Sequence, residues 1–338
     1  MKEAMFYRQL ENGKVECDLC PHFCTLKDGQ IGNCFVRKNV GGKLFSLVYG
    51  KAVAVHVDPI EKKPLFHVAP GSRSFSLATV GCNFHCKFCQ NADISQISKE
   101  ANVETIGQST APEELVSLAI SNSCQSIAFT YTEPTVFFEY AYDTAKLAHQ
   151  AGLLNIFVTN GYINAEPVNF IKDYLDAANV DLKSFSGDFY RRLVGAKLQP
   201  VLETLKLMKK LNIWIEITTL VIPDENDAEE ELTEIASFIK NELGEETPWH
   251  LSRFYPQYKL NNRRPTPIST LQHAYEIGKQ HGLRFVYLGN VPGDETESTF
   301  CYQCGKKLID RYGYHIREKN VIANRCSFCG VAIDGIGL

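Results

Sequence analysis

Three cysteines, Cys82, Cys86 and Cys89, stand at C-x3-C-x2-C spacing in the stretch G-C-N-F-H-C-K-F-C-Q-N. Thiolates this close in sequence share one loop, and a loop of this kind can hold three corners of a cubane iron–sulfur cluster. A tetrahedral zinc site and a four-iron cluster both take four ligands. One position therefore stays open, and an open iron can bind a chelating substrate much as catalytic zinc binds water. The plainer reading is a zinc or electron-transfer site completed by a distant ligand or by His85.

Eight further cysteines fall into two sets of four. The C-terminal set, Cys301, Cys304, Cys326 and Cys329, reads C-x2-C-x21-C-x2-C, with Gly305 and Gly330 following the two pairs. Glycine there permits the tight turn that aims amides at sulfur, and the pattern is that of a zinc ribbon. A module so short has little core, so its metal must supply much of its folding energy. The N-terminal set, Cys17, Cys20, Cys24 and Cys34, reads C-x2-C-x3-C-x9-C. Zinc is the first expectation for it and a second iron–sulfur cluster the alternative, since both accept four thiolates. His22 lies among these cysteines but is not needed as a ligand. Cys124 stands alone before an apolar run and reads as a small buried residue.

Such loops need a frame. Apolar, strand-like runs cover 75–81, 126–132, 155–161, 179–185, 214–222 and 249–256, with a weaker one at 285–290. Helical patterns fill the gaps at 112–122, 136–151, 166–176, 200–211, 228–243 and 269–281. Continuously apolar strands suit a parallel sheet covered on both faces. Six clear repeats favour a partial (β/α)6 TIM-like barrel over an open doubly wound sheet, with chemistry at the strands' carboxyl ends. The fold class is thus α/β, with a small four-cysteine module at each end. The expected division is 1–70, 71–295 and 296–338. No G-x-G-x-x-G follows the first strand and no G-x4-G-K-[ST] occurs in the chain, so phosphate-loop nucleotide binding is not expected.

With 338 residues, 44% hydrophobic and 22% charged, the chain has the composition of a globular protein. It offers no run of about 20 apolar residues for a membrane span and no signal-peptide core, so a cytoplasmic location is expected. In a reducing compartment the cysteines read as metal ligands rather than disulfides. A net charge of -4 gives no basic field for non-specific nucleic-acid binding, although a local patch is compatible with it.

The trio after the first strand, together with DPIEKKPLFHVAPG (58–71), FTYTEPTVF (129–137), TNGY (159–162), DLKSF (181–185) and YLGNVPG (287–293), resembles the radical S-adenosylmethionine (radical SAM) superfamily. The chain looks most like the radical SAM enzyme of the AmmeMemoRadiSam system, itself similar to pyruvate formate-lyase activating enzymes. The resemblance implies a [4Fe-4S] cluster on Cys82, Cys86 and Cys89, with SAM on the fourth iron. Reductive cleavage then yields a 5′-deoxyadenosyl radical that takes hydrogen from a substrate. It further implies an electron donor such as flavodoxin or ferredoxin, Memo-like and AMMECR-like partner proteins, and a protein substrate. RNA or a small metabolite is the alternative substrate. Phe88, beside the last cysteine of the trio, would shield the cluster from water. A non-catalytic zinc or iron–sulfur protein that binds nucleic acid or protein is the reading of a different class.

Four places match the family's SAM pocket in part. Many members carry G-G-E-P where this chain has Tyr131-Thr132-Glu133-Pro134, so both glycines are replaced while Glu133 remains as a candidate for the SAM ammonium. Asp181 and Lys183 match the D-L-K of activating enzymes, and strand alternation puts both on one face, to meet the sugar hydroxyls and the methionyl carboxylate. Asn160 of T-N-G-Y is a similar candidate, but Val158 stands where the relatives have an acidic residue. Arg253 ends the sixth strand near His250, where a guanidinium could hold a carboxylate. An incomplete barrel would also leave a lateral opening for a peptide loop.

Overall fold

The computed structural model describes residues 1–97, 103, 106–291 and 293–338. Pro292, in the Y-L-G-N-V-P-G motif, lies outside them. Strands follow in chain order across one sheet: β1 (Ala54–Pro59), β2 (Arg73–Ala78), β3 (Ser126–Phe129), β4 (Leu154–Thr159), β5 (Ala177–Asp181), β6 (Trp214–Val221), β7 (Trp249–Arg253) and β8 (Val286–Gly289). β2 to β8 pair in parallel, and β1 adds to β2 antiparallel. The strand order never reverses, as it would in a doubly wound sheet. The sheet is an arc of a barrel whose edges, β1 and β8, do not pair with each other.

Among the described residues, six helices of seven or more residues connect the parallel strands: α1 (Pro112–Ser121), α2 (Phe138–Gln150), α3 (Ala165–Ile171), α4 (Gln199–Lys210), α5 (Glu229–Phe238) and α6 (Ile268–Gln280). Pro112 opens α1 and Glu113 and Glu114 occupy its first turn, where the dipole favours them. The expected strands tend to run too far at their carboxyl ends. Residues 130–134, 160–162 and 182–185 leave the ladder and turn, and Tyr131 does so at a φ of 63°. Antiparallel β1, with its mixed burial, was missing from the sequence reading.

The segment after β1 explains why D-P-I-E-K-K-P-L-F-H-V is so distinctive. Ile60, Leu65 and Val68 pack on Ala128, Ile156 and Ala177 of three neighbouring strands, so this segment forms a floor across the arc. Glu216, fully buried on β6, fastens it. Its carboxylate accepts the amides of Phe66 (3.0 Å) and His67 (2.8 Å) and a proton of His250 (2.7 Å).

Residues 301–338 fold as a ribbon around the hairpin β9 (Lys307–Tyr312) and β10 (His315–Lys319). Its small core, including Leu308, Val321, Ile333 and Leu338, packs on Phe66 of the floor and on Phe285 and Tyr287 at the β8 edge. The flank of the arc that was expected to be open is therefore covered here by the ribbon. At the other end of the chain, short strands at Lys2–Glu3, Arg37–Val40 and Lys43–Ser46 make one sheet, and Tyr7–Gln9, Val15–Cys17 and Thr25–Leu26 another. Buried Arg37 ties this module to α2 by a two-pronged ion pair with Glu139, at 2.6 and 3.1 Å. Among the described residues, no helix is long and apolar enough to cross a membrane.

Candidate active site

The loop that carries the cysteine trio leaves β2 at its carboxyl end and is clamped in place. His85 and Lys87 donate their amides to Val194 (2.8 Å) and Leu193 (2.9 Å), and the Gly81 amide is held by Ile94 (2.9 Å). Gly81 has a φ of 95°, and a Cβ on it would stand 2.5 Å from Val36 and 2.8 Å from the Cys34 carbonyl. The N-terminal module thus presses directly on the start of this loop. Only glycine fits there.

Cys82, Cys86 and Cys89 all line one large cavity at the carboxyl ends of the strands, together with Phe88, Asn160, Asp181 and Lys183. Cys82 and Cys86 are buried, and Cys89 is half-buried with its sulfur 3.1 Å from the Ser95 hydroxyl. Burial pushes the Cys86 thiol up to about 12, partly opposed by the Lys183 ammonium. His85 does not line the cavity. Its ring bonds Gln96 at 3.1 Å and lies against Phe35, so the protein presents three thiols to this space.

Asp181 and Lys183 share a face, as alternation requires, and form an ion pair of 2.9 Å. Burial alone would lower the lysine, but Asp181 and the Cys86 sulfur outweigh it and hold the ammonium above its usual range. The ammonium also stands 5.8 Å from the Phe88 ring centroid. A fixed cation beside a cavity suits a carboxylate ligand. Asn160 reaches the trio itself, with its amide nitrogen 3.7 Å from the Cys82 sulfur and 2.8 Å from the Asn83 side-chain oxygen.

Two other residues singled out from the sequence stand off the cavity. Glu133 is completely buried behind its wall, and its carboxylate accepts the Thr135 amide and hydroxyl, the Thr159 hydroxyl and the Asn160 amide, at 2.6–3.0 Å. Burial raises its pKa, while those bonds pull the other way. It holds the T-N-G turn in shape, and Asn160 with it. Arg253 turns towards its own neighbourhood, donating to the Thr266 carbonyl (2.8 Å) and the Tyr255 hydroxyl (3.0 Å). From that end of β7 it is Ser252 and, from β8, Asn290 that face the cavity.

Sequence reasoning missed the deeper wall. Lys63 and Tyr131 line it, both bonded to Asp58, with the lysine at 2.7 Å and also over the tyrosine ring. Burial lowers Lys63 to about 8. Asp58 is pushed up by burial, but Lys62, Lys63 and Tyr131 more than reverse this and hold it well below the carboxylate range. The signal was present, because D-P-I-E-K-K-P places four charged residues, Asp58, Glu61, Lys62 and Lys63, beside the apolar run that follows. Asn179, Thr218, His250 and, from the ribbon, Tyr314 also line the cavity.

The two four-cysteine sets differ in geometry. Cys301 and Cys329 sulfurs are 3.7 Å apart and those of Cys304 and Cys326 3.8 Å. All four lie within 4.8 Å of one another, the only such group of candidate ligands among the described residues. Gly305 and Gly330 turn at positive φ after each pair, as expected. Cys17, Cys20, Cys24 and Cys34 line a common small cavity without closing to that distance.

The radical SAM superfamily model matches residues 76–236. An uncharacterised protein of Methanocaldococcus jannaschii is 47% identical over 99% of both chains. The chain carries a radical SAM domain. As a radical SAM enzyme it is also similar to the pyruvate formate-lyase 1-activating enzyme of Escherichia coli, at 24% identity over 64% of this chain and 93% of that one. Among solved structures, a radical SAM methyltransferase from Sphaerobacter thermophilus shares the fold, with a TM-score of 0.52 and 13% identity over 65% of this chain and 66% of that one. The radical SAM domain brings with it a [4Fe-4S] cluster and SAM. The three cavity-facing thiols fit such a group, since they leave one corner without a protein ligand.

Proposed function

We propose that this radical SAM enzyme holds its cluster on Cys82, Cys86 and Cys89, binds SAM beside Lys183, Asp181 and Asn160, and modifies or activates a protein partner. The observation that carries this reading is the meeting of three thiols and a fixed ammonium–carboxylate pair on one cavity. A cluster held there by Cys82, Cys86 and Cys89 would supply the electron for reductive cleavage of SAM, and through it the means to abstract hydrogen from a substrate. Lys183 would anchor the methionyl carboxylate, Asp181 the sugar hydroxyls, and Phe88 would keep water from the cluster. Glu133 acts one step back, by fixing Asn160. The electron comes from a donor of the flavodoxin or ferredoxin class.

A protein substrate is supported by the likeness to an enzyme whose name says that it activates another enzyme. A net charge of -4 disfavours a phosphate backbone. Memo-like and AMMECR-like proteins are the partners that the sequence motifs suggest, and co-purification tests them. For the C-terminal ribbon the metal we favour is zinc. Tetrahedral ligands at about 2.3 Å stand about 3.8 Å apart, which matches the separations of 3.7 and 3.8 Å.

The deciding experiment is anaerobic reconstitution with iron, sulfide, dithionite and SAM. The native chain should yield 5′-deoxyadenosine, and the Cys82→Ala, Cys86→Ala, Cys89→Ala chain none. Product from the triple variant overturns the reading. Deuterium passing into 5′-deoxyadenosine from a protease-sensitive fraction of a deuterated lysate supports a protein substrate, and deuterium only from small molecules or RNA refutes it.

A further inference from the structure

The N-terminal cysteines form a second chamber, distinct from the SAM cavity. Cys17, Cys20, Cys24 and Cys34 all line it; Cys17 and Cys34 are buried and Cys20 and Cys24 half-buried. Their sulfurs do not close to zinc spacing, because no three of them come within 4.8 Å of one another as the ribbon's do. Nor do the sulfurs of Cys82, Cys86 and Cys89 all lie within 4.8 Å of one another. A cubane places an iron between each thiolate and the cluster centre, so its thiolates stand further apart than those around one zinc ion. Among the described residues, then, one sulfur set meets zinc spacing and two do not.

A second observation points into the same chamber. Arg37 lines it and is buried, with two guanidinium nitrogens on Glu139 and Met5. Its Nε has no hydrogen-bond partner. A buried donor without an acceptor is costly, and a sulfur-rich anion in the chamber would supply one. The chamber also adjoins the trio. His22 donates to the Asn83 carbonyl at 2.7 Å, Asn83 accepts from Asn160, and Asn160 stands at the Cys82 sulfur.

We infer that Cys17, Cys20, Cys24 and Cys34 hold a second iron–sulfur cluster, fully ligated by protein, that serves electron transfer to the cluster on Cys82, Cys86 and Cys89. With four thiolate ligands this centre has no corner open to SAM. It takes one electron from the external donor and passes one on, and no bond forms or breaks at it.

The test uses the full chain, reconstituted anaerobically in native form and with Cys82→Ala, Cys86→Ala and Cys89→Ala combined. Iron, sulfide and zinc are counted per chain, and the reduced proteins are examined by electron paramagnetic resonance with and without SAM. The triple variant should keep iron, sulfide and a reduced signal indifferent to SAM, with zinc near one per chain. Adding Cys20→Ser and Cys24→Ser should remove that iron. A triple variant with no iron, whether it carries two zinc ions or leaves the N-terminal cysteines empty, overturns the inference. That variant retains all four N-terminal cysteines, so it decides the matter even if the further substitutions unfold the module. The inference and the proposed function fail separately. Iron lost with the trio from a chain that cleaves SAM refutes only the second cluster. A persistent, SAM-indifferent signal in a native chain that never cleaves SAM refutes only the function.

Discussion

Lys183 and Glu133 are both charged groups withdrawn from water, yet they have different work. The ammonium faces the cavity and has one carboxylate partner, so it keeps donors for a ligand. The carboxylate is consumed by four bonds to its own chain. Lys183→Ala should therefore weaken SAM binding by about 1–3 kcal/mol with the fold intact, as titration calorimetry would show. Glu133→Gln should act chiefly on stability, because its new NH2 group would meet donors. We expect a loss of about 1–3 kcal/mol in denaturant unfolding. At this scale the sequence was most legible where spacing itself is chemistry. Cys82, Cys86 and Cys89 lie within eight residues, and no fold could separate them far. Asp181 and Lys183 were legible because strand alternation fixes which face they share. Glu133 and Arg253 were not, because whether a strand-end side chain turns inward depends on loops that no periodicity describes.

Elements decide how these residues are held. Seven parallel strands and six helices followed from apolar runs and their gaps, while β1 and the floor behind it did not, since their burial comes from distant partners. The trio loop has the least freedom. With a Cβ 2.5 Å from Val36, Gly81→Ala should push the loop off the N-terminal module and lower iron incorporation at the trio, as measured by iron content after reconstitution. The floor carries a pH sensitivity of its own. His67 donates to the Asp334 carbonyl and accepts from the Tyr287 hydroxyl, both at 2.7 Å, so it is held neutral. Burial, opposed by Glu216 and the Asp334 carbonyl and reinforced by Arg311 and His250, lowers it to about 4. Below about pH 6.5 the unfolded chain gains a proton at this histidine that the folded chain refuses until about 4. Stability should thus fall as pH drops through that window, by up to about 3 kcal/mol. His67→Gln should flatten the unfolding free energy measured between pH 7 and 5.

Across the whole molecule, the ribbon and the barrel share a wall. Arg311 reaches from the hairpin to the Phe66 carbonyl at 2.7 Å, and Tyr314 at the hairpin tip lines the cavity of the cysteine trio. Replacing exposed Cys304 and Cys329 by Ala should remove one zinc per chain and unfold the ribbon, since metal binding supplies of order 10 kcal/mol to such modules. Iron at the trio should remain, and substrate turnover should suffer more than SAM cleavage when both products are quantified. Synthesis proceeds from the N-terminus, and domains tend to fold in that order. The barrel and its trio loop therefore leave the ribosome before the hairpin that bears Arg311 and Tyr314. A nascent chain passes through a stage in which the cysteines are positioned but one side of their chamber has yet to be made. During that interval the trio loop would face solvent on the side that Tyr314 later lines.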